Sequence, residues 1–379
     1  MRFEDEWSAN EGCLVREAGS LGELLDRLTG TFSPSLFGHA EVKALTARAR
    51  RLPPTLAGFP TWLGFPIDDS PPAVCLEVSV LGGTRSAALV EAANLSAGPD
   101  PETVAAAFLL EETGKENSQL RRVVGDRVVL HYSIDSLESE EVEASVLLYP
   151  VRPTLEGDDS GGRLEDFTLA CDAMAFATGR ESHVDRHRNL ERTYRAMGPG
   201  TRIGAIGASP AGKGALRLTV LGFVGADSAI AFLNCAGWSG GETAVISALA
   251  RLEARGAIAG MQLGVQFDVT PAGIRPPLEL QIYSAATIRD NTGWFKDRDC
   301  WTGLIDGLLK EGLADPGNLP ELNNWSFAAK PFFGRSGLLL LLQRIHHFAI
   351  VVDGEGRSRV NAHVFLLLSR WRHSANCSG

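Results

Sequence analysis

The amino-acid sequence predicts an α+β fold: a closed antiparallel barrel of about ten strands, built from five hairpin-plus-helix repeats with the helices outside. Three observations predict it. Apolar and polar residues alternate with a period of two in paired segments, each pair joined by a short turn rich in Gly and Pro. Segments of helical spacing separate the pairs. Each hairpin has one aliphatic and one polar face, so helices can cover the first while the polar faces gather around a common axis. Antiparallel strands then escape exposed edges by closing the sheet. A ring of about ten strands is wider than one of eight, whose side chains just fill it, so a lumen able to hold a ligand is expected. A TIM barrel fits less well, because its strands are parallel and joined singly by helices. Two unrelated α+β domains are the plainer alternative.

In chain order, residues 1–70 read as an N-terminal helical cap and residues 71–379 as the barrel domain. Within the cap, 21–28 and 39–52 have helical spacing, and Pro53-Pro54 stops the second. The first hairpin is read at 73–80, where Cys75, Glu77 and Ser79 alternate with Leu76, Val78 and Val80, returning over 85–93 after Gly82-Gly83. Asp100 followed by Pro101 opens a helix over 101–110. The second hairpin spans 128–135 and 142–149. Helix follows over 166–197 with an interruption near Gly179. The third hairpin pairs 202–207 with 215–223, and a helix runs over 242–255. The fourth, 261–283, is the clearest. Leu263, Val265, Phe267 and Val269 face one way, Gln262, Gln266 and Asp268 the other, and TPAGIRPP turns the chain. A helix over 301–313 precedes the fifth hairpin, 346–352 with 359–368.

Composition excludes several classes. With 379 residues, 44% hydrophobic, the chain can build one large core or two ordinary ones. A net charge of -10 argues against a nucleic-acid surface, which needs clustered Lys and Arg. The acidic segment 1–12 has no apolar centre, so it is not read as a signal peptide, and purely apolar runs such as 338–342 are too short to span a bilayer. Six cysteines without a C-x-x-C pair suggest neither a zinc site nor a disulfide framework. A cytoplasmic protein without nucleic-acid or membrane partners is expected.

Several strings within the hairpins carry chemistry. CLEVSV and TRSAALVEA hold Glu77, Ser79, Arg85 and Glu91; RLTVL holds Arg217; Gln281 and Tyr283 form a Q-x-Y strand; the last hairpin holds His347. In this pattern the chain resembles the aromatic prenyltransferases of the ABBA, or PT-barrel, superfamily, in particular the dimethylallyltryptophan-synthase type and bacterial relatives linked to peptide natural products. The resemblance spans roughly 73–369. It implies an allylic diphosphate donor held by a ring of Lys, Arg and Tyr, and a first-hairpin Glu that draws the proton from an indole or phenol. Here the ring is depleted: Ser145 and Leu147, Thr219 and Leu221, and Ala349, His363 and Phe365 stand at family Lys, Tyr or cationic positions. The lumen-facing positions read from strand alternation contain no lysine. Such a lumen is neutral to acidic and repels a diphosphate unless Arg85, Arg202 or Arg275 reaches inward.

The candidate catalytic residues are therefore Glu77, His347 and His363, and the candidate substrate contacts are Ser79, Arg85, His131, Arg217, Asp268, Glu279, Gln281 and Tyr283. The expected function is a prenyltransferase-like enzyme of specialised metabolism acting on an aromatic or peptide substrate in the lumen. Two alternatives stay open. The carboxylates and histidines could run acid/base chemistry without a diphosphate, as a hydrolase, isomerase or cyclase, or the barrel could bind without catalysing. No cofactor and no metal are expected, since His347 and His363 with a carboxylate show no tight ligand spacing. His183 and His187 lack the Glu of H-E-x-x-H and read as a solvated helix face. GAIGASPAGKG, at 204–214, lacks the Ser or Thr of a phosphate loop and reads as a hairpin turn, and Gly240-Gly241 reads as a helix approach. Glu77 on an open sheet would be an ordinary solvent-facing residue, and His346-His347 would be one surface and one core histidine. Trp238, Trp294, Trp301 and Trp325 are candidates for stacking a substrate or for plain packing.

Overall fold

The alternating segments form strands that hydrogen-bond into one ring. The computed structural model describes residues 12, 15–17, 19–28, 39–52, 61–69, 74–95, 98–134, 143–151, 155–157, 163–181, 183–209, 214–238, 242–284, 298–318, 322, 329–335, 337–353 and 358–370. Its strands are β1 (Thr61–Pro66), β2 (Val74–Leu81), β3 (Arg127–Ile134), β4 (Glu143–Leu148), β5 (Arg202–Ala208), β6 (Leu216–Phe223), β7 (Met261–Thr270), β8 (Gly273–Ser284), β9 (Ala329–Phe333), β10 (Leu338–Val352) and β11 (Ser358–Arg370). Neighbours follow sequence order from β1 to β8, then β10 and β11, and β11 pairs back onto β1. All pairings are antiparallel. Ten strands thus close the barrel, and β9 pairs outside the ring with the first half of β10.

Alternation decides what each face meets. On β7, Leu263, Val265, Phe267 and Val269 are buried beneath helices, while Gln262, Gln266 and Asp268 stay partly exposed on the inner wall. The helices are α1 (Leu21–Leu28), α2 (His39–Arg51), α3 (Arg85–Asn94), α4 (Pro101–Gly114), α5 (Gln119–Val124), α6 (Arg163–Ala177), α7 (Val184–Arg195), α8 (Gly225–Ala236), α9 (Glu242–Ala254) and α10 (Arg298–Lys310). The core therefore lies between the sheet and its helical coat. Phe223, Phe232 and Phe267 link β6, α8 and β7 there, with ring centroids 5.1 and 6.0 Å apart. The break expected near Gly179 falls between α6 and α7, where this residue adopts φ 68°.

The first hairpin differs from the sequence reading. Residues 85–94 are helix α3 and not a returning strand: Thr84 accepts a hydrogen bond from the Ala87 N–H, and the Ala-rich segment behind it favours helix. The partner of β2 is instead β1, with Trp62 opposite Glu77. Residues 61–66 therefore belong to the barrel, and the cap reading of 1–70 extends too far. TWLGFP carries no polar alternation because burial covers nearly all of it, so its strand character was hidden. Helix α8 was also unanticipated. Asp100 stands at the N-cap of α4 with Pro101 behind it, but its side chain makes no cap hydrogen bond. None of the helices among the described residues is long and apolar enough to cross a membrane.

Candidate active site

Barrel closure brings residues from distant hairpins to one lumen. Glu77 on β2 lies opposite His131 on β3, and their side chains meet at 3.0 Å between Oε1 and Nδ1. Arg127 occupies the same β3 face two alternations away. Its guanidinium lies over the Tyr149 ring at 4.3 Å and the Trp62 ring at 5.9 Å. Tyr149 donates its hydroxyl hydrogen bond to Glu77. Burial pushes the Glu77 carboxyl up, but His131, reinforced by His363 and His346, outweighs it and holds the group below the usual carboxylate value. Burial pushes the Tyr149 and Tyr283 phenols up, with nearby carboxylates adding to the shift. Glu77 is thus an ionised base beside neutral phenols.

A second wall is a continuous polar ladder. Thr219 Oγ1 donates to Gln266 Oε1 at 2.9 Å, Gln266 Nε2 to Glu279 Oε2 at 3.0 Å, Gln281 Nε2 to Glu279 Oε1 at 2.8 Å, and Tyr283 OH to Gln281 Oε1 at 2.6 Å. Arg217 Nε donates to Asp268 Oδ1 at 3.0 Å beside it. Water reaches Glu77, His131, Arg217 and Asp268, whose side chains are 16–28% exposed. Ser79, Gln281, Tyr283, His347 and His363 are buried.

The third wall is aromatic. Tyr283, His347 and His363 stack in series, at 4.7 and 4.2 Å between centroids with the histidine rings 8° from parallel. His346 joins them because β10 bulges between Ile345 and His347, which turns two consecutive side chains inward. Its Nδ1 lies 2.8 Å from that of His347, and its ring meets Tyr283 edge-on at 5.5 Å. The plain reading of one surface and one core histidine is thereby overturned. Cys75 Sγ lies 4.0 Å from His363 Nδ1. Glu279, His347 and His363 each offer a ligand atom within 4.8 Å of the others, a grouping no sequence spacing announced.

Burial lowers the pKa of all three inner histidines, that of His346 to about 4. As pH falls below their ordinary 6.5, the unfolded chain takes up protons that the folded barrel refuses. Stability is full above pH 6.5 and drains toward pH 4, at about 1.4 kcal/mol per pH unit for each histidine kept neutral. Urea midpoints measured at pH 7 and pH 5 check this, and equal midpoints would refute it.

Of the sequence candidates, Glu77, His131, Glu279, Gln281, Tyr283, His347 and His363 line this lumen, with Ser79 fully buried and Arg217 tied to Asp268. Arg85 does not. It is exposed in the first turn of α3, outside the strands, so it makes no inner-wall contact. Arg275 is likewise exposed, whereas Arg202, opposite the inward Leu221, lies close enough to Tyr283 to act on its phenol. Sequence reasoning missed Arg127, because the strand was started one residue late, and Trp62, because β1 was not recognised. Gly64 shows how tightly β1 is fitted: a Cβ there would lie 2.3 Å from Cys75 Sγ and 2.9 Å from the His363 ring. Gly64→Ala is expected to cost about 1–3 kcal/mol and displace His363, which thermal melts and the histidine NMR signals would report. Trp238 is buried with its indole N–H unpartnered among the described residues, and Trp301 packs on Phe348 in the coat. Trp294, Trp325, Gly240-Gly241 and residues 210–213 of the third turn lie outside the described residues.

No protein-family model matches the chain, and no curated protein matches it. Among solved structures, AnaPT from Neosartorya fischeri is similar over 98% of this chain and 96% of its own, at 11% identity and a TM-score of 0.55. The 6-dimethylallyltryptophan synthase from Micromonospora olivasterospora, crystallised with DMASPP and Trp, covers 97% of each chain at 15% identity with a TM-score of 0.46. The 5-dimethylallyltryptophan synthase from Streptomyces coelicolor covers 92% of this chain and 97% of its own at 14% identity, TM-score 0.48. The AnaPT likeness carries the fold assignment. With ten antiparallel strands closed around a lumen and helices outside, the chain has the ABBA, or PT-barrel, fold of the aromatic prenyltransferases, in a form divergent in sequence.

Proposed function

We propose that this chain is a cytoplasmic, prenyltransferase-like enzyme of specialised metabolism that takes an aromatic or peptide substrate into the barrel lumen. One observation carries the reading: a half-buried carboxylate, Glu77, kept ionised by His131 at 3.0 Å, stands where Trp62, Arg127 and Tyr149 converge. In prenyl transfer, the acceptor carbon would bond to the allylic carbon as its C–O bond breaks, the diphosphate would leave with that electron pair, and Glu77 would take the indole or phenol proton. In this reading Arg127 and Arg202, which act electrostatically on Tyr149 and Tyr283 of the lumen, would meet the leaving anion.

A second reading has its own support. Arg217 is engaged by Asp268, and the Glu77 charge offsets that of Arg127, so much of the inner positive charge is already balanced. That balance suits proton transfer on a neutral substrate without a diphosphate. Calorimetry with dimethylallyl and geranyl diphosphates separates the two, with mass spectrometry of incubations containing tryptophan, tyrosine and short peptides. Prenyl transfer requires binding of at least one diphosphate, weakened about tenfold or more by Arg127→Met. Failure of both diphosphates to bind would leave the acid/base reading. Binding of an acceptor without turnover under any condition would make the barrel a binding protein.

A further inference from the structure

We propose that Glu279, His347 and His363 form a binding site for one divalent transition-metal ion, of the zinc class, on the inner wall of the barrel. The inference does not rest on the prenyl-transfer reading, and it departs from the metal-free expectation drawn from sequence spacing.

The three side chains come from β8, β10 and β11, which the ring makes neighbours: His347 is opposite Tyr283 on one side and His363 on the other. Each presents one ligand atom, and all three lie within 4.8 Å of one another. Donors about 2.1 Å from a tetrahedral ion stand about 3.4 Å apart, so metal binding draws the group together and turns His363, at the end of the stack, out of its parallel setting so that both ring lone pairs meet on the ion.

Unsatisfied atoms point to the same place. His347 Nδ1 is held by His346 at 2.8 Å, and His363 Nδ1 faces Cys75 Sγ at 4.0 Å. In the tautomer that carries its hydrogen on Nδ1, each ring leaves Nε2 as a lone pair. Both Nε2 atoms are buried and have no hydrogen-bond partner among the described residues, in residues only 7% and 8% exposed. Two such acceptors in one pocket are unfavourable, since each orphaned buried group costs about 1–3 kcal/mol. A single cation would satisfy both.

The surroundings are those of a ligating set. Histidine ligands to zinc usually anchor their other nitrogen, as His346 and Cys75 do here. Glu279 accepts from Gln266 and Gln281, one to each oxygen, which orients the carboxylate and leaves further lone pairs. Two histidines and one glutamate are also a set that leaves a fourth position for water or a substrate atom.

The test uses the full chain, stripped with a chelator that is then removed, and titrated with CoCl2 and ZnCl2. We expect one equivalent of Co2+ to give the intense visible bands of a tetrahedral site and to be displaced by Zn2+. Glu279→Gln and His363→Gln should each weaken binding about tenfold or more. Circular dichroism checks folding; if His363→Gln misfolds, the near-isosteric Glu279→Gln decides alone. His187→Ala is the outer control, because His187 lies 3.4 Å from Asp172 on the helical coat. Absence of tetrahedral Co2+ bands would overturn the proposal, as would binding that survives Glu279→Gln or that is lost in His187→Ala.

Discussion

Glu77→Gln is expected to lower turnover by about 10²- to 10⁴-fold while the barrel stays folded. Under the proposed function this carboxylate is the group that takes the substrate proton, and an amide cannot do so. Shape is kept: glutamine can still accept from Tyr149 and lie beside His131, so hydrogen bonding along β2 and β3 persists. The loss is of charge, and Arg127 feels it as well, since Glu77 is one of the groups that support its positive charge. Two measurements distinguish a base from a structural residue. The acid limb of the pH–rate profile, set in the wild type by protonation of Glu77 below its ordinary value, should vanish in the variant. Binding of an aromatic acceptor should change much less than turnover. A variant with wild-type turnover would remove Glu77 from the mechanism.

Phe267→Ala should produce the largest stability effect, about 3–5 kcal/mol. Phe267 is 1% exposed on the outer face of β7, where its ring meets Phe232 of α8 and, through it, Phe223 of β6. Truncation would open a cavity between sheet and helix that neither can fill, because the strands on either side of β7 are hydrogen-bonded in fixed register. Urea denaturation would show the loss as a lower midpoint with an unchanged slope. A loss below about 1 kcal/mol would mean that α8 packs loosely and that the aromatic chain does not join it to the wall.

The two variants probe opposite faces of the same strands, and those faces were legible to different degrees. The second, third and fourth hairpins could be read closely from period-two alternation, because a strand with helices on one side and a lumen on the other must alternate. Where that contrast faded, reading failed. TWLGFP is buried along almost its whole length and reads in sequence as part of the cap, and RSAALVEAAN reads as a strand although Thr84 caps it as a helix. Arg127 lies one residue before the strand boundary that alternation marks, so a cation that acts electrostatically on Glu77 was not legible.

By itself, the sequence determined the repeat of hairpin and helix, the closed sheet, and which side of most strands faces inward. These are consequences of local periodicity, which a chain carries wherever it folds. Only the tertiary structure decided who meets whom across the wall. That Glu77 touches His131, that Glu279 stands beside His347 and His363, and that a bulge turns His346 inward all depend on strand register and ring closure. Register is set by the cooperative pairing of the whole sheet, and a bulge shifts it by one residue without any mark in the alternation that precedes it.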